Sequence, residues 1–394
     1  MNEAFYIEVG SAQKSHAGER ICGDVFVSQK IKEEGRTVVV LSDGMGHGVK
    51  ANMLATLTAT MAMNFTREHK DAHKIAEIIM NTLPVCSERK ISYSTFTVVD
   101  IEESGQTTVI NYDNPDAIVL RGEDPLKLEW QNITLESSAN QGKEIKACTF
   151  LARKEDRIVL LTDGITQSGL GRGKYLLGWG HENVSDFLSR FVKDHPETSA
   201  ARLSTQLVNH AHSNDGYQSK DDISSVVVYF REPRKLLLCT GPPYEKEKDG
   251  ELAGVVRDFH GRKIICGGTT ADIIGRELGI PVEDTLEFDD PDLPPVSQME
   301  GIDLVTEGIL TLSKLAAILE KYGPRTELGK GPADRIIRMF LESDEIRFWV
   351  GTAVNVAHQD PNLPVELEIR RTVVKRIARM LEEKLLKEVT LHFI

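Results

Sequence analysis

The sequence predicts an α+β protein: an antiparallel β core with helices outside it, followed by a smaller α/β domain. Three observations predict this. In the first part of the chain, short runs rich in β-branched residues read as strands, and helical stripes stand apart from them in separate groups. Near Arg231-Glu-Pro-Arg234 the pattern changes to strand and helix in alternation. The 394 residues also exceed one ordinary core and suggest two domains of roughly 100–200 residues each. The expected domains are 1–231 and 232–394.

In the first domain the clearest strands are Thr37–Ser42, Thr95–Asp100, Thr107–Tyr112, Arg157–Thr162 and Ile223–Phe230. Helical spacing joins Leu54, Leu57, Met61 and Phe65; Val184, Phe187, Leu188 and Phe191; and Leu203, Leu207 and Ala211. In the second domain Leu236–Thr240 is a strand ending in Gly-Pro-Pro, and Leu252, Val255, Val256 and Phe259 form a stripe. The strand Arg262–Cys266, the helical stretch Ala271–Leu278, the strand Ile302–Thr306 and a stripe of Leu312, Leu315, Ala316 and Leu319 follow. A long amphipathic helix, with Leu367, Val374, Ile377, Leu381 and Leu385 on one side, is expected to close the chain.

The net charge of -13 argues against nucleic acid or an anionic membrane as the main partner. Cys22, Cys86, Cys148, Cys239 and Cys266 lie far apart with no C-x-x-C pair, which suggests reduced thiols in a cytoplasmic protein. No run of about 18 apolar residues indicates a membrane span. The stretch Met1–Gly10 carries Glu3 and Glu8 and no basic region, unlike a signal peptide.

The strongest chemical signal is acids at strand ends. Leu41-Ser-Asp43-Gly44-Met-Gly46-His-Gly48 runs from an apolar strand into an aspartate and a glycine-rich turn, then a helix. Arg157-Ile-Val-Leu-Leu-Thr-Asp163-Gly164 repeats the layout. Asp221-Asp222 precedes the strand at Ile223, and Cys22-Gly23-Asp24 precedes Val25-Phe26-Val27. An isolated Asp-Gly is an ordinary turn. Several acids buried near one another are costly unless cations neutralise them, and hard oxygen ligands favour Mg²⁺ or Mn²⁺.

Asp24 in Gly-Asp, the Asp43-Gly-Met-Gly-His-Gly block, Asp163-Gly164 and Asp221-Asp222-Ile-Ser together resemble the stage II sporulation protein E type of bacterial phosphatase. That type is a branch of the metal-dependent protein phosphatase 2C family, and the resemblance covers about residues 4–231. It implies a phosphatase 2C-like β-sandwich flanked by helices, two Mn²⁺ or Mg²⁺ ions, and phosphoserine or phosphothreonine substrates. Carried over, Asp43 bridges both metals and the Gly44 carbonyl binds one. Asp163 and Asp221 hold the second, with Asp222 adjoining, and Asp24 lies in or next to the cluster. Two ions about 3.5–4 Å apart can lower the pKa of a shared water and neutralise phosphoryl oxygens. The catalytic residues are then Asp43, Asp163 and Asp24, with no cysteine or serine nucleophile. His47 reads as a proton donor or, more commonly for a glycine-flanked histidine at a turn, as structural. Arg20, near Asp24, reads as a surface arginine before it reads as a phosphate ligand. Two departures stand out: Cys22 occupies a position where the family commonly has serine, and Asn111-Tyr-Asp-Asn-Pro115 replaces a loop of small residues and paired prolines.

In the second domain Thr240-Gly241, Gly267-Gly268-Thr269-Thr270 and Thr306-Glu307 all follow strands. In an α/β sheet such loops gather on one edge, where a small anionic ligand would meet free N–H groups. The ordinary alternative is tight turns, with Thr269 or Thr270 capping a helix. Substrates of related phosphatases point to a phosphorylated anti-sigma-factor antagonist or similar switch protein, in signal transduction, and a homodimer is allowed. Control is expected from the C-terminal domain or a partner. The rival readings are a non-catalytic scaffold and a small-molecule phosphatase or sensor.

Overall fold

The computed structural model describes residues 5–68, 71–82, 94–135, 140, 143–171, 175–285, 289–323, 326–353, 366–385 and 387–394, less the side chains of Lys32 and residues 366–369. Cys86 and the side chain of Leu367 lie outside the described residues. The chain divides into two compact units, Met1–Glu232 and Pro233–Ile394.

The first unit opens with strands β1 (Tyr6–Lys14), β2 (Val25–Ile31) and β3 (Arg36–Gly44), then helices α1 (Gly48–Glu68) and α2 (Ala72–Thr82). Next come β4 (Ser94–Glu102), β5 (Gln106–Tyr112), β6 (Ile118–Arg121), β7 (Asp124–Leu126), β8 (Gln131–Thr134), β9 (Glu144–Leu151) and β10 (Asp156–Leu161). The short α3 (Asp163–Thr166), α4 (His181–Asp194) and α5 (Ala200–Asn214) lead into β11 (Ile223–Arg231). The strands form two antiparallel sheets, β1-β11-β10-β6-β7 and β2-β3-β4-β5-β9-β8.

The unbroken apolar runs of β3, β10 and β11 follow from burial on both faces, because successive side chains point to opposite sides of a sheet. Val39 and Leu41 of β3 meet Ile158, Leu160, Val226 and Val228 in the core between the sheets. Val38 and Val40 face the other way and pack with Ala59, Ala62, Ile75 and Ile79 of α1 and α2. Val159, Leu161 and Val227 lie under Leu188, Leu203 and Leu207 of α4 and α5. The result is a β-sandwich flanked by helices. The α1 stripe differs from expectation: Leu57 is 47% exposed, and the buried face is Ala51, Ala55, Ala59 and Ala62. A Cβ on Gly44 would collide with the Ala51 carbonyl, so the helix lies too close to β3 for large side chains on that face.

Arg36 ties the two ends of this layer. It is 2% exposed. It donates to Asp100 on β4 at 2.6 and 3.1 Å, to Glu34, and to the Thr66 and Arg67 carbonyls at the end of α1. Arg36→Ala leaves the half-buried Asp100 and two carbonyls without their donor. It should cost about 3 kcal/mol or more in urea unfolding; a loss under about 1 kcal/mol would rule out this role.

The second unit runs β12 (Lys235–Thr240), α6 (Asp249–Asp258), β13 (Arg262–Cys266), α7 (Gly268–Leu278), β14 (Val282–Asp284), β15 (Ser297–Met299) and β16 (Leu304–Thr306). It continues with α8 (Ile309–Lys321), α9 (Pro332–Leu341), β17 (Glu345–Val350), α10 (Glu366–Leu385) and β18 (Glu388–Phe393). Five strands are parallel in the order β16-β13-β12-β17-β18, with β14 and β15 antiparallel beyond β16. Helices cover both faces. Leu252 and Val256 of α6 and Ile274 of α7 pack on Leu237, Cys239 and Ile265. Leu312 and Leu315 of α8, Ile336 and Phe340 of α9 and Ile377 of α10 pack on Leu236, Leu238, Ile264 and Phe348. The amphipathic helix expected at the end is α10, but it does not close the chain: β18 adds a further parallel strand. Among the described residues no helix is long and apolar enough to cross a membrane.

Candidate active site

Four chain segments bring the sequence-predicted acids of the first unit to one end of the sandwich. Asp24 lies just before β2, Asp43 is next to last in β3, Asp163 opens α3, and Asp221-Asp222 leads into β11. Strand pairing sets the placement. β2 pairs with β3 with Val25 opposite Ser42, and β10 pairs with β11 with Leu161 opposite Ser225. Asp43, Asp163 and Asp221-Asp222 therefore sit at the ends of the buried strands β3, β10 and β11, and Asp24 leads into the edge strand β2 beside β3.

The cluster is buried and strained by its own charge. Asp24 and Asp222 are each 2% exposed, while Asp43, Asp163 and Asp221 are half-buried. Burial pushes the Asp43 carboxyl up to about 10, and the charges of Asp24, Asp163 and Asp221 push it the same way. Asp24 rises to about 7, chiefly by burial and with a contribution from Asp222. Asp221 rises to about 6 by burial and the charge of Asp163. Asp163 is also raised, by burial. These acids thus feel one another directly.

Each is also held. Thr162 Oγ1 donates to Asp24 Oδ2 at 3.0 Å. Gln167 Nε2 donates to Asp163 Oδ2 at 2.7 Å, the His16 N–H donates to Asp222 Oδ1 at 2.9 Å, and the Asp222 N–H donates to Asp221 Oδ1 at 2.9 Å. On the opposite oxygens, Asp24 Oδ1, Asp163 Oδ1 and Asp222 Oδ2 are buried with no hydrogen-bond partner among the described residues. A Cβ on Gly164 would strike the Asp222 carbonyl oxygen, so only glycine lets the Asp163 turn pack against the Asp222 backbone.

Three orphaned, buried carboxylate oxygens in an anionic cluster are the donor set a hard divalent cation takes. Among the described residues no three such groups stand as a finished ligand set. The five acids form an open cluster, and their chemistry fits a cation that draws them in.

Residues around the acids complete the surroundings, among them His16 and Glu19, which the sequence did not single out. His16 stacks on His47, with ring centroids 4.3 Å apart and planes 12° apart. His47 Nδ1 lies 2.9 Å from Glu19 Oε1. Arg20 is exposed on the loop that carries Asp24. Cys22 Sγ lies 3.7 Å from Ser224 Oγ, and burial, with the charges of Asp24 and Asp222, pushes its thiol up to about 12. That is the reverse of what an attacking thiolate needs. The loop at Asn111–Pro115 braces Asp43 from behind. Asn114 accepts from Thr95 Oγ1, and Thr95 pairs with Asp43 across the ladder. Asn111 Nδ2 donates to the Asn114 carbonyl at 2.8 Å. A surface depression lined by Gln29, Ile31, Glu34 and Arg67 lies at the far end of β2 from Asp24 and holds none of the acids.

The stage II sporulation protein E (SpoIIE) family matches residues 33–231, half of the chain. The chain belongs to the SpoIIE family. This is the phosphatase family that the aspartate motifs resemble, and the SpoIIE match covers Asp43, Asp163, Asp221 and Asp222. Among solved structures, the phosphatase domain of the cell fate determinant SpoIIE from Bacillus subtilis is 16% identical, with a TM-score of 0.45 over 59% of this chain and 95% of that one. A Bacillus subtilis SpoIIE PP2C phosphatase domain with a fragment of its regulatory domain is 17% identical, with a TM-score of 0.48 over 58% of this chain and 65% of that one. RsbX in complex with magnesium is 17% identical, with a TM-score of 0.41 over 58% of this chain and 98% of that one. No curated protein matches the chain in sequence.

In the second unit the structure places the other predicted residues on one sheet edge. Thr240 pairs with Cys266 and Cys266 with Thr306, so Thr240-Gly241, Gly267-Gly268 and Thr306-Glu307 leave three adjacent strands side by side. Gly241 and Gly267 have φ of 81° and 126°, a region that favours glycine. Neither Thr269 nor Thr270 caps α7, which starts from Gly267 without a side-chain cap.

Proposed function

We propose that the first unit hydrolyses phosphoserine or phosphothreonine on a protein substrate, with two Mn²⁺ or Mg²⁺ ions held by its aspartates. The observation that carries this reading is the set of buried, partnerless oxygens on Asp24, Asp163 and Asp222 around an Asp43 carboxyl raised by its neighbours. Family membership supports the reaction class. Asp43, Asp163 and Asp221, with the Gly44 carbonyl, would hold the cations, and Asp24 and Asp222 would complete the charge. Bound cations would supply a water of lowered pKa and neutralisation of the phosphoryl oxygens.

The chain's own residues do the rest. Thr162, Gln167 and the His16 N–H each hold one oxygen of Asp24, Asp163 and Asp222 and leave the other oxygen free to meet a cation. The rigid strand ends keep the acids from collapsing apart under their own repulsion. Asp43, Asp163 and Asp221 are only half-buried, which leaves the cluster within reach of a phosphorylated segment. A bacterial switch protein of the anti-sigma-factor antagonist kind is the proposed substrate. The four described thiols, Cys22, Cys148, Cys239 and Cys266, are free, which supports a cytoplasmic setting.

The test is hydrolysis of phosphoserine and phosphothreonine peptides against sugar phosphates. Activity should vanish in EDTA and return with Mn²⁺. No turnover of any phosphopeptide at saturating Mn²⁺ would overturn the proposal in favour of a scaffold, and preference for sugar phosphates would favour a small-molecule phosphatase.

A further inference from the structure

The second unit carries a feature that the phosphatase reading does not use. Its five parallel strands follow the order in which the first strand lies in the middle and the chain winds outward to both sides. In such sheets ligands bind beyond the carboxyl ends of the strands. The eleven-residue α7 begins at that edge, directly after β13. No side chain caps it, Gly268 is exposed, and a Cβ there would meet nothing within 4 Å. The first N–H groups of a helix and its dipole favour an anion.

A second observation points to a ligand at the same place. Thr270, in the first turn of α7, is 1% exposed, and its Oγ1 has no hydrogen-bond partner among the described residues. That oxygen lies 3.3 Å from where a Gly267 Cβ would stand, so it faces the start of the helix. An orphaned, buried hydroxyl facing an uncapped helix start is costly unless something bonds to it.

The third element decides the ligand class. Gly308 packs on Gly267: its Cβ would lie 3.4 Å from the Gly267 Cα. This brings Glu307 to the edge, where its Oε2 accepts from the Leu310 N–H at 3.3 Å. A carboxylate on the neighbouring strand end disfavours a bare anion. It accepts hydroxyl donors, as an acid at a strand end does for a ribose.

We propose that this edge binds a nucleotide or sugar phosphate, with the phosphate at the start of α7 over Gly267 and Gly268 and the sugar hydroxyls on Glu307. The site is independent of the acids in the first unit and does not rest on their activity.

The test uses the full chain carrying Asp43→Asn, without added metal, so that the first unit neither turns over nor recruits the probe through a cation. Calorimetric titration with AMP, ribose 5-phosphate and inorganic phosphate should show the two esters binding at least about tenfold tighter than phosphate, the worth of one or two good hydrogen bonds. Equal binding of the two esters identifies a sugar phosphate, and much tighter AMP a nucleotide. Thr270→Val keeps shape and loses only the hydroxyl, while Gly268→Asp fits the open space and places a carboxylate where the helix start welcomes one. Each should weaken the esters about tenfold or more with no drop in thermal midpoint. No binding of any probe at millimolar concentration overturns the proposal. So does unchanged binding in both variants, or inorganic phosphate binding as tightly as the esters.

Discussion

Asp43→Asn is expected to lower manganese-dependent hydrolysis of p-nitrophenyl phosphate about a thousandfold, the scale at which loss of one preorganised electrostatic group is felt. Asp43 is the acid whose carboxyl is raised by three others, Asp24, Asp163 and Asp221. It therefore stands at the centre of the cluster, where a shared ligand would stand. Asparagine keeps its size and removes its charge, so the fold has no reason to suffer. The variant should keep the metal-free thermal midpoint of the parent. The parent should gain about 2.7 kcal/mol when Mn²⁺ exceeds its dissociation constant a hundredfold, and the variant should gain little. A variant that turns over at the parent rate would sink the assignment of Asp43. A variant that unfolds would show a structural role instead, which is why both readouts are needed.

Gly164→Ala should be nearly as damaging, for a steric reason. The added Cβ would collide with the Asp222 carbonyl oxygen, and its next neighbour, the Asp222 carbonyl carbon, would be 3.0 Å away. Backbone cannot rotate aside as a side chain can. The Asp163 turn and the Asp221-Asp222 loop must separate, at a cost of about 2–3 kcal/mol. The separation falls between acids that have to meet on the same ions. A misplacement of about 1 Å can cost about a hundredfold in rate. Urea unfolding and the manganese-dependent kcat should both fall, and a variant unchanged in both would show that this packing does not position the site.

The aspartates were legible because each follows or precedes a strand whose composition is unmistakable. β3, β10 and β11 are buried on both faces, so they read as unbroken apolar runs, and an acid at the end of such a run is conspicuous. The partners that hold the acids were not legible. Thr162, Gln167 and His16 are single polar residues with no pattern of their own, and His16 meets Asp222 only because the β1–β2 loop reaches the start of β11. The loop at Asn111–Pro115 stands out in the sequence as a departure from the family pattern. Its part in bracing Thr95 opposite Asp43 depends on contacts that spacing does not encode. The α1 stripe is only half right: Met61 and Phe65 pack on the core, but Leu57 faces solvent and the face against β3 is lined by alanines. The short β6, β7 and β8 and the edge strand β18, which alternates polar and apolar residues, carry too weak a signal to stand out.

By itself, the sequence determined the two-part organisation, the strands that form the sandwich, and the acids with their order along the chain. It did so because burial on both sheet faces leaves a compositional trace, and because acids beside such strands have few reasons to be there. Only the tertiary structure decided that the four acidic segments share one end of the sandwich, and which of their oxygens are held and which are left bare. It alone decided that three glycine-bearing loops of the second unit leave neighbouring strands side by side. Those outcomes depend on strand order and register, which are set by packing between segments far apart in the chain and leave no trace in any one of them.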